Sequence, residues 1–351
     1  SYYIDSAGEV ITQENMIAIG SAEELETFRD DVNNGNTYEG KYVYLTSDIT
    51  LDINEEWEPI GVYPMENDTP DDETNRPFSG IFDGKGYEVN GIYINTADKV
   101  QGLFGLVKKG KIKNLGIGSN CNINCMEDSV GAICGYLYDE SEIINSYNNS
   151  NVIANAYIGG IAGQTIKNSS IENCYNKGVI QGNGEKIAGI SGNVTRDSVI
   201  QKSCNFGEVI GETEIAGIAG FMGNSYIYYC YNNAKISGNM HIGGILGQAN
   251  LKADLKGCYN IGNIVGSKNV GGILGHINID ENLINVILEK CYSLENVAEN
   301  LCGTITANDK VNIKESNILS EEQLKTEVLL LENNFKNDTG INNGYPILTW
   351  Q

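Results

Sequence analysis

The chain has 351 residues, 41% of them apolar, so it can bury a sizeable core in one elongated domain or two compact ones. Its 46 acidic and 23 basic side chains give a net charge of −23, which repels a phosphate backbone and argues against nucleic acid as a partner. No run approaches the ~18 apolar residues of a membrane span, and the 42 glycines beside 5 prolines follow no Gly-X-Y period, so they imply tight turns and close backbone packing.

Taken in chain order, the first predicted element is a helix. Ser21 with Glu24 forms a capping box, Leu25, Phe28 and Val32 fall on one face, and Asn33-Asn34-Gly35 ends it. A β-rich stretch follows, from Lys41-Tyr-Val-Tyr-Leu-Thr46 to Trp57-Glu-Pro-Ile-Gly61. An acidic insertion comes next, Glu66-Asn-Asp-Thr-Pro-Asp-Asp-Glu73, whose Asp68, Asp71, Asp72 and Glu73 are candidate Ca²⁺ ligands on chemistry alone, without EF-hand or repeat-in-toxin spacing. Asp83-Gly84-Lys85-Gly86 reads as a tight turn, since the preceding Gly80-Ile-Phe-Asp resembles a phosphate loop only loosely and leads into no helix.

From there the chain repeats itself. A β-branched residue, two small residues, an aliphatic, any residue and Gly recur as Val130-Gly-Ala-Ile-Cys-Gly135, Ile158-Gly-Gly-Ile-Ala-Gly163, Ile187-Ala-Gly-Ile-Ser-Gly192, Ile215-Ala-Gly-Ile-Ala-Gly220, Ile242-Gly-Gly-Ile-Leu-Gly247 and Val270-Gly-Gly-Ile-Leu-Gly275. The starts lie 28, 29, 28, 27 and 28 residues apart, and Val100-Gln-Gly-Leu-Phe-Gly105 stands 30 upstream as a degenerate copy. A second motif follows each: Ser146-Tyr-Asn, Cys174-Tyr-Asn, Ser203-Cys-Asn, Cys230-Tyr-Asn, Cys258-Tyr-Asn and Cys291-Tyr-Ser, with an aliphatic three residues before (Ile143, Ile171, Ile200, Ile227, Leu255, Leu288). A third segment closes the unit, as in Gly178-Val-Ile-Gln-Gly182 and Glu208-Val-Ile-Gly211. Three short β segments per unit, with no 3.6-residue periodicity, predict an all-β, right-handed parallel β-helix with coils of about 28 residues and short capping helices at both ends.

Stacking like residues explains the columns: aliphatics inside, small residues where the coil pinches, and asparagine amides bonded along the stack. Strict alternation fails around the Cys-Tyr-Asn step, so a bend is expected between the aliphatic and the Cys/Ser, with the Cys/Ser column facing in and the tyrosines out. Recurrence of the cysteines with the repeat, and the lack of any C-x-x-C pair, read as reduced structural thiols. At the far end, Ser320 and Gln323 form another capping box, Leu324, Val328, Leu331 and Phe335 a stripe, and Tyr345-Pro-Ile-Leu-Thr-Trp350 closes the chain. The expected organisation is one domain: a cap and first strands in 1–77, coils in 78–305, and a second cap in 306–351, both caps serving as lids on the ends of the core.

These residues resemble the GLUG-motif proteins of bacterial surfaces, which include adhesins and the repeat regions of IgA-cleaving metallopeptidases. Leu45-Thr-Ser-Asp-Ile49, Trp57-Glu-Pro-Ile-Gly61, Phe78-Ser-Gly-Ile-Phe-Asp-Gly84, Gly102-Leu-Phe-Gly105 and Gly344-Tyr-Pro-Ile-Leu-Thr-Trp350 share in the resemblance. It implies export to an extracellular or cell-surface setting, with the signal peptide and anchor lying outside this sequence. The peptidase members carry a His-Glu-x-x-His helix, whereas the two histidines here, His241 and His276, are not followed by Glu.

No catalytic constellation stands out. Gly189-Ile-Ser191-Gly-Asn193 lacks the last glycine of a nucleophile elbow and lies in a repeat column. A glycosidase would place carboxylates at one slot of neighbouring coils, yet Glu172 aligns with Gln201, Tyr228, Lys256 and Glu289. The sequence therefore reads as a non-catalytic surface or secreted solenoid without cofactor, a monomer with no membrane insertion by this segment. Its partner would be a host or neighbouring-cell glycan or protein, bound along Tyr147, Tyr175, Tyr231, Tyr259 and Tyr292. A polysaccharide lyase or glycosidase on the same fold is the alternative.

Overall fold

A computed structural model of the chain describes residues 2–4, 10–66, 69–278, 285–304 and 311–351. Residues about 28 apart lie over one another: Ile158 pairs in parallel with Ile187, Ile187 with Ile215, and Ile215 with Ile242. The chain is a parallel β-solenoid, and one of its walls is a ladder of ten strands running from Ile49–Thr50 to Asn317–Leu319. At a strand spacing of ~4.8 Å, that wall is on the order of 40 Å long.

Several coils contain five short strands where the repeat suggested three. In one coil they are Ile158–Gly159, Ala162–Ile166, Ser170–Glu172, Tyr175–Asn176 and Ile180–Gly182. In two later coils the second and third fuse into Ala219–Tyr228 and Leu246–Lys256. The first two motifs each span a corner, so each divides into two strands. The bend expected before the Cys/Ser column is a left-handed residue immediately ahead of it: Asn145, Asn173, Lys202, Tyr229, Gly257 and Lys290 all have φ between 48° and 64°. A second left-handed corner precedes the Ile-Gly-Gly motif, at Ser129, Tyr157, Lys186, Glu214, His241 and Asn269. The degenerate first copy is offset by one residue: Gln101, not Val100, pairs with Val130 and occupies the aliphatic column. The Asp83–Gly86 turn is present, with Lys85 and Gly86 both at positive φ.

Aliphatic columns from several walls meet in one continuous core, joined by the Sγ atoms of Cys174, Cys230, Cys258 and Cys291. All nine cysteines are free thiols. Burial pushes those of Cys134 and Cys174 up to about 12, which keeps them protonated.

The two caps differ. Helix α1 (Ala22–Asn33), started by the Ser21 side chain accepting from Glu24 N, buries Leu25, Phe28 and Val32 in the main core and sets Phe28 edge-on to Phe78. It is a lid. Helix α2 (Glu321–Leu329), with a complete Ser320/Gln323 capping box, is not. Leu324, Val328, Leu331, Phe335 and Leu348 form a separate cluster with Tyr231, Tyr259 and Tyr292, so the C-terminal segment lies along the side of the rod. A lid was expected there. The tyrosines supply the reason, because their outward rings form the apolar surface on which the stripe packs.

Candidate functional site

The Cys/Ser column faces in and the tyrosines point away from the coil interior, as their spacing implies. Their exposure is another matter. Tyr231 and Tyr259 are fully buried and Tyr292 is 3% exposed, all beneath the C-terminal segment. The Tyr259 hydroxyl donates to Pro346 O and accepts from Asn342 Nδ2 at 2.8 Å. Three of the five tyrosines are therefore structural, which corrects the reading of a solvent-facing aromatic stripe.

The other two remain half-buried. Tyr147 and Tyr175 stack with centroids 4.9 Å apart and planes 2° from parallel, so they offer solvent their edges and not their faces. Gly116 covers the other face of Tyr147, where any β-carbon would collide with the ring. Cys204 then breaks the column, and the chain terminus fills the gap. Trp350 stacks on Tyr175 at 6.4 Å and 11°, and its Nε1 donates to Lys202 O at 2.8 Å. Gln351 Nε2 donates to Cys204 Sγ at 3.5 Å, and its Oε1 accepts from Tyr231 Oη at 2.7 Å. Tyr175, Lys177, Phe206, Ile341 and Trp350 border a shallow depression of about 300 Å³. The interrupted tyrosine column beside an aromatic C terminus was the sequence signal for this contact.

The acidic insertion is strapped to the rod. Val62 and Arg76 close its base by two backbone hydrogen bonds, and Tyr63 sits edge-on to Tyr136 at 5.4 Å. Asp71 receives Lys108 Nζ at 2.7 Å and the Tyr138 hydroxyl at 2.8 Å, and the Lys108 contact holds its carboxyl below the usual range. Asp72 accepts from Thr74 N and Oγ1, and Glu73 offers its backbone carbonyl to Arg76. Asp68 lies outside the described residues. Among the described residues, no three His, Cys, Asp or Glu side chains gather as a metal would need.

On the wall next to the left-handed corners, polar side chains are spent on one another. Gln164 Nε2 donates to Ser129 Oγ at 2.5 Å, and Asn193 Nδ2 donates to Gln164 Oε1 at 2.9 Å. Lys186 Nζ lies 4.8 Å from the ring centroids of both Tyr157 and Phe221, and 3.4 and 3.7 Å from Glu185 and Glu214. Burial pushes Glu214 up to about 7 despite that ammonium. His241 stacks on His276 at 4.1 Å and is pushed down to about 4 by burial and by that neighbour.

A cleft of about 580 Å³ opens near the N-terminal cap, between the stretches 56–66 and 96–101 with Glu127. Trp57, Val62, Tyr63 and Met65 supply apolar surface, and Gln101 lines it as well. Trp57, Glu58, Pro59 and Gly61 of the Trp57–Gly61 motif line this cleft, but nothing in the sequence joined that motif to residues 96–101.

Comparison with known proteins adds a family signature. The GLUG motif matches residues 154–181, one turn of the solenoid from the Val152–Ala154 strand to the Ile180–Gly182 strand above it. This chain carries the GLUG motif. Over 140 residues the chain is 32% identical to a protein of Evansella cellulosilytica provisionally named Gly-rich membrane protein. The match covers 38% of this chain and 14% of that one, so the chain spans a small part of its relative's length. A crystal structure from Bacteroides ovatus, provisionally named an immunoglobulin A1 protease, superposes with a TM-score of 0.59 over 97% of this chain and 94% of that one. At 22% identity this shows a shared fold. Among the described residues, no helix is long and apolar enough to cross a membrane.

Proposed function

We propose that this GLUG-motif solenoid is a non-catalytic module of a bacterial surface protein, exported from the cell, and that it works in adhesion and ligand display. The observation that carries the reading is the state of its walls, where side chains at equivalent slots bond to each other along the stack, as Asn148, Asn176, Asn205, Asn232 and Asn260 do. The GLUG motif and the names of the membrane-protein relative and the protease-like structure support a surface setting. The contact surface is the open end of the tyrosine column, where Tyr147, Tyr175, Lys177 and Trp350 offer aromatic edges and one cation beside a depression. Its partner is a glycan or protein of a host or neighbouring cell.

The test is to probe immobilised glycans and matrix proteins with the intact chain, and to incubate the same preparation with acidic and neutral polysaccharides. Saturable binding that falls in Tyr147→Ala/Tyr175→Ala, without release of reducing or unsaturated sugar ends, is the expected result. Released ends would replace the adhesion reading with the carbohydrate-active one.

A further inference from the structure

We infer that the open end of the tyrosine column is a subsite for a sugar ring carrying one acidic group. The assignment rests on that end being the contact surface. Ring geometry is the first reason. Tyr147 and Tyr175 stack with planes 2° apart, Gly116 covers the other face of Tyr147, and Trp350 stacks on Tyr175 at 11°. The tyrosine faces on which a neutral sugar would lie are therefore occupied, and the ring edges remain. An aromatic ring is negative at its face and positive at its edge, so a row of edges favours an anion.

Charge is the second and independent reason. The chain holds 46 acidic and 23 basic side chains, yet the depression beside these edges has Lys177 as its one charged side chain. By contrast, five carboxylates and one lysine line the cleft near the N-terminal cap, and Glu295 and Glu299 line a depression near the rod's far end. Lys177 is exposed, stands 5.2 Å from the Tyr175 ring centroid, and forms no ion pair with a described residue. The repeat does not call for it. Backbone N of Asn149, Lys177, Phe206 and Asn233 makes the same hydrogen bond to the coil before, so the four share a slot, and the others are uncharged.

Tyr175 adds a donor beside that ammonium. The hydroxyls of Tyr147, Tyr231 and Tyr259 donate to Glu88, Gln351 and Pro346. That of Tyr175 has no partner among the described residues and is not sealed from solvent. An ammonium and a phenol in one site suit the oxygens of a carboxylate or a sulfate. Phe206, Trp350 and Ile341, the last 50% exposed, give the C–H side of a sugar ring apolar surface, in a depression of about 300 Å³. Strand Tyr175–Asn176 is paired with Tyr147–Asn148 on one side and Cys204–Asn205 on the other, so no backbone edge is open here to an acidic peptide. A net charge of −23 repels a polyanion at long range, which restricts the ligand to one with an isolated charge.

The experiment titrates the full chain with methyl glucuronide, methyl glucoside 6-sulfate, methyl glucoside and N-acetyl-aspartate amide at millimolar concentrations. Saturation-transfer NMR and tryptophan emission are the readouts. At least one acidic sugar is expected to bind about fivefold more tightly than methyl glucoside, the scale of an exposed ion pair. It should change emission in the parent chain and not in Trp350→Phe, and the stronger of the two identifies the acid. Lys177→Gln, at an exposed position, should keep the melting midpoint and reduce the acidic sugars to the affinity of methyl glucoside. Tyr175→Phe should weaken them while preserving the ring stack. Equal binding of acidic and neutral sugars, no binding of any sugar, or tighter binding of the aspartate derivative than of either acidic sugar would overturn the inference. So would an acidic preference that survives Lys177→Gln. Neutral glycans or matrix proteins captured through Tyr147 and Tyr175 would in those cases leave adhesion standing, so the two readings fail separately.

Discussion

Asn205 shows how stacking makes a buried polar side chain affordable. Its Nδ2 donates to Gly207 O and to Asn232 Oδ1, both at 2.9 Å, and its Oδ1 accepts from Gly207 N at 3.2 Å and from Asn176 Nδ2 at 2.9 Å. Asn148, Asn176, Asn232 and Asn260 continue the ladder, and each is fully buried. The amide lies against Gly189, where a β-carbon would collide with it, so the glycine of one motif and the asparagine of the next form a single packing unit. Glu214 is the opposite case, a carboxyl 6% exposed in a corner where stacking gives it only Lys186. Its folded pKa of about 7 lies above the ordinary 4.5, so the folded chain holds a proton that the unfolded chain releases. That contribution to stability is complete below pH 4.5 and is lost as pH rises through 7. Glu214→Gln, which does not titrate, should match the parent near pH 4 and exceed it at pH 8 by on the order of 2 kcal/mol. Urea unfolding at pH 4, 6 and 8 checks this, and a difference independent of pH would refute it.

The coil elements were legible in the sequence because each repeat reports the same slot again. Ile158, Ile187, Ile215 and Ile242 could be stacked by spacing alone, and the failed alternation before Cys174 and Cys230 foretold the bend now seen at Asn173 and Tyr229. A column pattern says which side chains share a wall, but it does not say what lies on that wall. The C-terminal segment reaches back across the sequence by 148 residues to place Trp350 on Lys202, a contact with no local signature. Cys204 was legible as an anomaly, and the structure gives the cause: the chain terminus occupies the ring's place. Restoring the consensus with Cys204→Tyr should therefore destabilise the chain, by roughly 1–3 kcal/mol of overpacking against Gln351 and Trp350. Cys204→Tyr/Trp350→Ala should recover part of that loss, because the new ring then takes the vacated slot between Tyr175 and Tyr231. Thermal unfolding of both variants decides the matter, and a stabilising Cys204→Tyr would show that the terminus does not hold this position in solution.

For the molecule as a whole, each coil contacts chiefly the coils on either side, so its stability is close to a sum over neighbours. A full turn should then be removable where the cut respects register. Tyr157 and Lys186 are equivalent corners, both left-handed at φ 55° and 59°, so deleting residues 157–185 joins Ala156 to Lys186 in the geometry it already uses. Val130 then lies under Ile187, Asn148 donates to Asn205 in place of Asn176, and Tyr147 takes the position of Tyr175 beneath Trp350. Lys186 keeps Glu214. Deleting only 157–170 removes about half a turn and sets the inward aliphatics of every later coil against the wrong wall. The full-turn variant should keep its β-type circular dichroism and cooperative melting, and its scattering profile should shorten by roughly one strand spacing, ~4.8 Å. The half-turn variant should lose cooperative unfolding. If both behave alike, whether both fold or both fail, the stability of this chain does not come from stacked register, and the column arguments for Asn205 and Cys204 lose their common basis.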